Sequence, residues 1–374
     1  MMELYADNAA AAPCDPGLME YFTACAKDFP GNQESMGFHG DLAARRIRED
    51  AEELLAAFRL ASHVPVFGNA GTDALALGVE TLCRSVRSGM EILTTTLEHP
   101  ALEWALKRSC VRHGLSLRQC PADRSGVRLD QFETMLSERT AAVAVHHVQS
   151  ETGGILDLTK IRSLLDRLAP QAVLLADTMQ SVGKIPLEIE RVRPDFLTFS
   201  GQKLGAPGGA VLFCAGKYAR TARALRSVEH FGSRCSVPLA LTAIRCGIRA
   251  MQTQAETQAH AVRLRESLLD ALRRNDVPCA MTLPAGAASP FIVHLLTAPY
   301  QGAILTRALH LRGISVAPGS ACESETPGGS RVLSAMGFSR RDSFCGLRIS
   351  CWKSNTVEEM SLLAENLADC IRSY

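Results

Sequence analysis

Short apolar segments alternate with helical patterns along most of this chain, and that alternation limits the possible folds more than any other feature. Strand-like runs are predicted at 64–67, 91–95, 142–148, 173–177, 196–199 and 210–214. Helices are predicted at 41–58, 72–84, 101–113 and 158–168. Alternation of this kind builds βαβ units, so we expect an α/β fold with a mainly parallel sheet flanked by helices.

The pattern changes near residue 252. A long polar helix at 252–273 precedes apolar segments at 291–296, 315–317 and 347–350, and an amphipathic helix begins at Val357. We therefore predict a large domain over 16–251 and a smaller α+β C-terminal domain over 252–374. Residues 1–15 are predicted to be an N-terminal segment that packs with the small domain.

Charge and hydropathy exclude several classes of partner. Lys and Arg number 40 and Asp and Glu 39, for a net charge of +1, which gives no basis for binding nucleic acid. The longest apolar runs, such as 141–145, fall far below the ~20 residues of a membrane helix. The first residues do not resemble a secretion signal. We expect a cytoplasmic protein without a membrane partner.

The cysteines set one residue apart. There are 13, an odd number, and no two are spaced as Cys-x-x-Cys, so we expect neither a disulfide framework nor a structural metal site. Most lie among apolar neighbours and are predicted to be small core residues. Cys322 lies instead in a loop-forming stretch rich in Gly, Ser and Pro, where we expect an exposed thiol.

Lys203 follows the predicted strand at 196–199 on a short polar turn, Ser200-Gly-Gln-Lys. A lysine there can lie beside a bound carbonyl, where desolvation makes its amine reactive. Such an amine would indicate a pyridoxal phosphate cofactor. On its own, the same pattern is also typical of a solvated surface lysine.

Other polar residues follow strands at the edge where α/β sheets bind ligands. Gly71 and Thr72 open a helix after the first strand, which is typical of a phosphate site or of an ordinary N-cap. Asp177 ends an apolar run and is suited to bind a pyridinium N–H or to cap the next helix. His99 precedes Pro100 and is either a ring-stacking acid–base group or a turn histidine. Glu151-Thr-Gly-Gly is a fourth loop of this kind.

A series of short motifs runs in order over nearly the whole chain: Tyr5-Ala-Asp-Asn-Ala-Ala, Gly31-Asn-Gln-Glu-Ser, Gly71-Thr72, Glu98-His99-Pro100, Glu151-Thr-Gly, Asp177-x-x-Gln180-Ser-x-Gly-Lys, Ser200-Gly-x-Lys203, Gly319-Ser-Ala-Cys322 and Arg348-Ile-Ser. With these motifs the chain resembles the cysteine desulfurases of the NifS/IscS-like branch, within the class V, fold-type I pyridoxal phosphate enzymes. The resemblance implies a large domain with a mainly parallel seven-stranded sheet.

The resemblance implies roles for these residues. Lys203 would bind the cofactor covalently and move protons at the substrate Cα, and His99 would stack on the ring and act in acid–base steps. The remaining cofactor ligands would be Asp177 at the pyridine nitrogen, Gln180 at the phenolic oxygen, and Gly71, Thr72, Ser200 and Gln202 around the phosphate.

The resemblance also implies how the substrate, L-cysteine, is handled. Arg348 would bind its carboxylate, and Asn8 and Ser150 would contact it. Cys322 would attack the substrate sulfur and carry it as a persulfide to an acceptor protein, as in iron–sulfur cluster assembly, with alanine as the other product. Family members borrow residues across a subunit interface, so a homodimer is implied.

The chain departs from the family pattern at four places. Gln202 replaces a phosphate-binding histidine, and Gln149-Ser150 replaces an Asn-Asn pair. Val237 stands where the family has a threonine that reaches the partner's phosphate. Glu323 and Glu325 flank the nucleophile and would raise the pKa of Cys322.

These departures leave two alternatives to a desulfurase. The first is a pyridoxal phosphate lyase or aminotransferase that acts on another amino acid, and the second is a divergent homologue that serves as a binding or scaffold subunit. The presence of Lys203, Asp177, His99 and Arg348 argues against a scaffold, which has no use for them.

Overall fold

The computed structural model describes residues 3–227, 235–319 and 329–374. Its largest sheet has seven strands, numbered in chain order, which lie side by side as β2 (His63–Gly68), β10 (Ala210–Ala215), β9 (Phe196–Ser200), β8 (Val173–Asp177), β7 (Thr140–His146), β3 (Glu91–Thr95) and β4 (Ser116–Cys120). Within this sheet β10 runs antiparallel to both of its neighbours, β2 and β9, and the other adjacent strands are parallel. The predicted fold class is confirmed.

The five inner strands are buried on both faces, which is why their sequences are continuous apolar runs. Along β7, Ala142 and Ala144 join one hydrophobic cluster, while Val143 and Val145 join the cluster on the opposite face. The edge strand β4 carries Arg118 and Gln119 and is only partly buried, so its sequence has no comparable apolar run. It is the strand of this sheet that the hydrophobic pattern did not predict.

Thirteen helices surround the sheets in the described residues. They are α1 (Pro16–Asp28), α2 (Phe38–Ala57), α3 (Gly71–Arg84), α4 (Pro100–His113), α5 (Leu129–Met135), α6 (Leu158–Leu168), α7 (Ile189–Val192), α8 (Gly216–Ser227), α9 (Val237–Gln252), α10 (Gln254–Arg274), α11 (Gly302–His310), α12 (Arg331–Ala335) and α13 (Val357–Arg372). Within the part of the chain that the structure describes, no helix is long and apolar enough to cross a membrane.

A second sheet follows α10 in the chain. Its four strands lie in the order β11 (Ala280–Met281), β12 (Ile292–Leu296), β15 (Gly346–Ser350) and β14 (Ala317–Pro318). Two small ribbons complete the strand pairings: β1 (Leu4–Tyr5) with β13 (Ile314–Ser315), and β5 (Ala122–Asp123) with β6 (Gly126–Val127).

The N-terminal segment lies between the two sheets. The strand β1 pairs with β13, Asp7 bridges Ser350 at the end of β15, and the Ala12 N–H donates to the Gln202 carbonyl beside β9. Ala9 and Ala10 thereby line the same cavity as the ends of β8 and β9. This arrangement brings backbone carbonyls from the start of the chain against side chains from its middle.

Candidate functional site

A cavity of about 390 Å³ opens where the parallel strands of the large sheet end. The predicted site residues that line it are Gly71, Thr72, His99, Ser150, Asp177, Gln180, Ser200, Gln202, Lys203 and Arg348. Asn8 does not line the cavity, although its neighbour Asp7 does, and Cys322 lies outside the described residues.

Lys203 ends a single helical turn that follows β9. Its Nζ donates to the carbonyl of Ala9 at 3.0 Å and to that of Ala10. The turn is tight, and the backbone of Gly208 approaches Gly201 closely. A Cβ at Gly201 would lie 2.6 Å from the Gly208 carbonyl oxygen, so only glycine fits there. The backbone thus fixes the amine at the cavity wall, next to the N-terminal segment.

The N-terminus of α3 forms another wall of the cavity. Its N-cap residue, Ala70, provides no side-chain hydrogen bond, and Ala70, Gly71 and Thr72 all line the cavity. A Cβ at Gly71 would come within 3.0 Å of Met179, so glycine permits the close approach. Helix N–H groups beside the hydroxyls of Thr72 and Ser200 suit a phosphate group.

Asp177 is the last residue of β8, and its side chain is buried. One carboxylate oxygen accepts the Met179 N–H at 3.0 Å. Burial raises the pKa of Asp177 to about 6, despite the cationic groups nearby. A protonated ring nitrogen placed here would form an ion pair with this carboxylate and stabilise its charged form.

His99 is the N-cap of α4. Its Nδ1 accepts the Ala101 N–H at 3.1 Å, so the proton of the neutral ring lies on Nε2. Burial lowers the pKa of His99, and the positive charges of Lys203 and Arg331 lower it further. The ring is therefore neutral near pH 7, which suits both stacking and proton transfer.

Arg348 lies in the middle of β15 with its guanidinium buried. Nη2 lies 2.7 Å from the Asp7 carboxylate, and Nη1 donates to the Ser150 carbonyl at 2.9 Å. Among the described residues, Nε of Arg348 has no hydrogen-bond partner. The guanidinium can bind a ligand carboxylate if that ligand replaces Asp7.

The structure gives Asn8 and Ser150 contacts that the sequence did not predict. The Asn8 amide donates to the carbonyl of Ser350 at 2.8 Å and to Asn355 at 3.2 Å, behind the cavity wall. Ser150 lines the cavity, but it is its backbone carbonyl that binds Arg348. Gln202 lies at the exposed rim of the same cavity.

A buried pair that the sequence analysis missed lies beside Asp177. Nδ1 of His146 is 3.0 Å from Glu98 Oε1, and the His146 N–H donates to Glu98 Oε2 at 2.9 Å. Burial alone would lower the pKa of His146, but the Glu98 carboxylate raises it overall. His146 pairs in register with Asp177 across β7 and β8. The sequence feature that could have indicated this pair is a histidine at the end of an apolar strand.

Three comparisons with known proteins bear on this site. The family model of the class-V aminotransferases matches residues 4–363. The chain belongs to the class-V aminotransferase family. Members of this family generally depend on pyridoxal phosphate.

Similar curated members carry desulfurase names. A cysteine desulfurase of Nostoc sp. is 25% identical over 99% of this chain and 93% of that protein. The cysteine desulfurase NifS of Azotobacter vinelandii is 24% identical over 96% of this chain and 90% of that protein. The resemblance inferred from the motifs is confirmed.

Solved structures share the fold. A NifS-like protein superimposes with a TM-score of 0.86 at 22% identity, covering 100% of both chains. The apo cysteine desulfurase of Thermococcus onnurineus NA1 superimposes with a TM-score of 0.83 at 18% identity, covering 100% of this chain and 95% of that one.

The residues of this class-V family member fit pyridoxal phosphate chemically. The cavity offers a carboxylate for the ring nitrogen, a helix N-terminus with two hydroxyls for the phosphate, and a lysine for the aldehyde. The raised pKa of Asp177 also fits a bound pyridoxal phosphate. Burial destabilises the charged form of this carboxyl group, and a protonated ring nitrogen beside it would stabilise that form.

Proposed function

We propose that this protein is a pyridoxal phosphate-dependent L-cysteine desulfurase that passes sulfur through Cys322. The observation that carries the proposal is that Lys203, Asp177 and Arg348 line one cavity with an uncapped helix N-terminus. The full-length similarity to proteins named cysteine desulfurase supports the choice of reaction.

Each described residue has a task in this proposal. The bound cofactor would supply an electron sink next to the substrate Cα. Lys203 would anchor the cofactor and then move the proton at Cα. Asp177 would keep the ring nitrogen protonated, and neutral His99 would stack on the ring and exchange protons through Nε2.

Arg348 would bind the substrate carboxylate in a bidentate pair, with Asp7 displaced. Arg348 and Lys203 line the same cavity, so a substrate bound through Arg348 would lie within reach of the Lys203 amine that is to move its Cα proton. Ser150, which lines the cavity, would contact the substrate and would also position Arg348 through its backbone carbonyl. Asn8 would support substrate binding indirectly, through the N-terminal segment that it holds in place.

Sulfur transfer is proposed for Cys322 from the resemblance. Its thiolate would form an S–S bond to the substrate sulfur while the substrate Cβ–S bond breaks, and protonation of the remaining carbons would release alanine. The persulfide sulfur would then pass to an acceptor protein, as in iron–sulfur cluster assembly.

The resemblance also supports a cytoplasmic homodimer. We further propose the division into a large domain over 16–251 and a small domain over 252–374, with residues 1–15 packed on the latter. The boundary between α9 and α10 and the pairing of β1 with β13 support that division.

The test is turnover of L-cysteine by purified protein with pyridoxal phosphate and a reducing thiol. We expect equal amounts of alanine and sulfide from wild type and none from Lys203→Ala. Turnover of a different amino acid, without turnover of cysteine, would favour the lyase or aminotransferase alternative. A wild-type protein that binds no pyridoxal phosphate would favour a scaffold role.

A further inference from the structure

Lys184 is a buried lysine to which the proposed reaction gives no task. It lies in the segment between β8 and α7 and is 2% exposed. Its Nζ donates to Gln180 Oε1 at 2.8 Å and lies 5.5 Å from the ring centroid of Trp352 and 6.0 Å from that of Phe291. Aromatic faces of this kind attract an ammonium group.

Keeping an amine in this place is costly. Burial, together with the nearby cations Lys203 and Arg348, lowers the pKa of Lys184 to about 7. A methionine or leucine would fill such a site without that cost. The cost points to a role that needs a hydrogen-bond donor.

The donor fixes the orientation of the neighbouring amide. The observed hydrogen bond has Lys184 Nζ as donor, so the oxygen of Gln180 faces Lys184 and its NH₂ group faces away; the charged form of Lys184 allows no other arrangement, because an ammonium group only donates. That NH₂ group donates to the Ala9 carbonyl at 2.8 Å, and Gln180 lines the cavity. The amide has a second N–H for an acceptor in the cavity.

The same carbonyl ties this amide to the reactive lysine. Nζ of Lys203 donates to the Ala9 oxygen at 3.0 Å, so three hydrogen bonds link Lys184, Gln180, Ala9 and Lys203 in sequence. If Lys184 were absent, the Ala9 carbonyl would be the remaining protein group, among the described residues, that holds the Gln180 amide in this orientation, and rotation by half a turn would present the amide oxygen to the cavity. An oxygen there would repel an anionic ligand oxygen.

We propose that Lys184 is a positioning residue that holds the Gln180 amide with its NH₂ group towards the cavity, so that it donates to an anionic oxygen of the bound cofactor. This inference rests on the proposed function, since it requires that the cavity bind pyridoxal phosphate. The oxygen in question is the phenolic oxygen of the ring.

The experiment is a two-residue cycle of Lys184→Met and Gln180→Leu, singly and combined. Lys353→Met is the matched control, because this nearby lysine pairs with Asp15 at 2.7 Å and does not line the cavity. Two readouts are taken: the dissociation constant of pyridoxal phosphate, and the pH midpoint of the visible absorbance of the bound cofactor. Circular dichroism compares the folding of the variants.

We expect Lys184→Met to weaken pyridoxal phosphate binding about tenfold, roughly the effect of one hydrogen bond to a charged group. Its absorbance midpoint should move up by about one pH unit, because a donor and a positive charge near the phenolic oxygen are lost. In the Gln180→Leu background, Lys184→Met should change the dissociation constant less than twofold. Lys353→Met should change neither quantity.

Equal losses of affinity from Lys184→Met in both backgrounds would overturn the proposal, since Lys184 would then act without Gln180. Unchanged affinity and midpoint in Gln180→Leu would overturn it as well, even if Lys184→Met did not fold. A wild-type protein that bound no pyridoxal phosphate would refute the proposed function itself, which is a different outcome.

Discussion

The guanidinium of Arg348 lies 2.7 Å from the carboxylate of Asp7, inside the cavity where a substrate carboxylate would bind. The N-terminal segment therefore supplies an internal competitor for the substrate. Because Arg348 is buried and Asp7 is the more exposed partner, exchange of one carboxylate for another keeps the arginine paired throughout.

Replacing Asp7 should strengthen substrate binding and lower the thermal stability of the protein without substrate. We expect Asp7→Asn to lower the KM for L-cysteine about three- to tenfold, since an ion pair worth roughly 1 kcal/mol no longer opposes binding. Its Tm without substrate should fall, because a buried guanidinium loses its counter-charge. Steady-state kinetics and thermal unfolding measure both effects, and a raised KM would contradict this account.

The raised pKa of Asp177 predicts a pH dependence of stability in the cofactor-free protein. Its pKa is about 6 in the folded state and near 4 in an unfolded chain, so the folded state binds the proton more tightly. The stability it contributes is fully present below pH 4 and is lost as the pH rises through 6.

Asp177→Asn should therefore gain stability relative to wild type by about 1–3 kcal/mol between pH 5 and pH 7.5. Urea unfolding at the two pH values measures this difference. A difference independent of pH would contradict the burial of an ionisable carboxyl at this position. The same variant should lose at least about a hundredfold in cysteine turnover, because the ring nitrogen loses its counter-charge.

The Glu98–His146 pair predicts strong coupling between two substitutions. His146→Leu alone should destabilise the protein by about 3 kcal/mol, because the buried Glu98 carboxylate loses its ionisable partner and keeps only the hydrogen bonds from the Thr95 hydroxyl and the residue-146 N–H. Adding Glu98→Gln should restore much of that loss, since the remaining amide is neutral. The free energy of unfolding is measured for wild type, the two single variants and the double variant. If the two single effects add up to the effect of the double variant, the pair is not coupled.

Replacing Gln202 by histidine should increase the affinity for pyridoxal phosphate. It lies at the exposed cavity rim, where the family resemblance places a phosphate-binding histidine. Gln202→His should tighten pyridoxal phosphate several-fold at pH 6.5, where an imidazolium adds a charge-assisted hydrogen bond, and less at pH 8.5. Gln202→Leu is the control that removes the polar group. Equal affinities at both pH values for all three proteins would place Gln202 outside the phosphate site.

Much of this fold follows from the hydrophobic pattern, because the five inner strands of the large sheet are buried on both faces and the edge strand β2 is still largely apolar. The hydrophobic pattern did not predict the edge strand β4, because this strand is only partly buried and carries polar residues. The polar residues at the strand ends, such as Asp177 and Lys203, were also predictable, because parallel strands end at one edge of the sheet.

The contacts of the N-terminal segment were not predictable from local sequence. Asp7 and Ala9 reach Arg348 and Lys203 across more than a hundred intervening residues, and no periodicity encodes such a contact. The burial of Lys184 was not predictable either: the residue ends a matching motif, but its local sequence does not show that Trp352 and Phe291 cover it.

The most direct test of the account is the fate of the substrate sulfur in a single turnover. Wild-type protein and Cys322→Ser, each loaded with pyridoxal phosphate, are mixed with one equivalent of L-cysteine without any reducing thiol, and the protein is digested for mass spectrometry. We predict one added sulfur atom on the peptide that carries Cys322 and a matching amount of alanine from wild type, with neither product from Cys322→Ser. Equal alanine formation by both proteins, with no sulfur added at Cys322, would contradict the account.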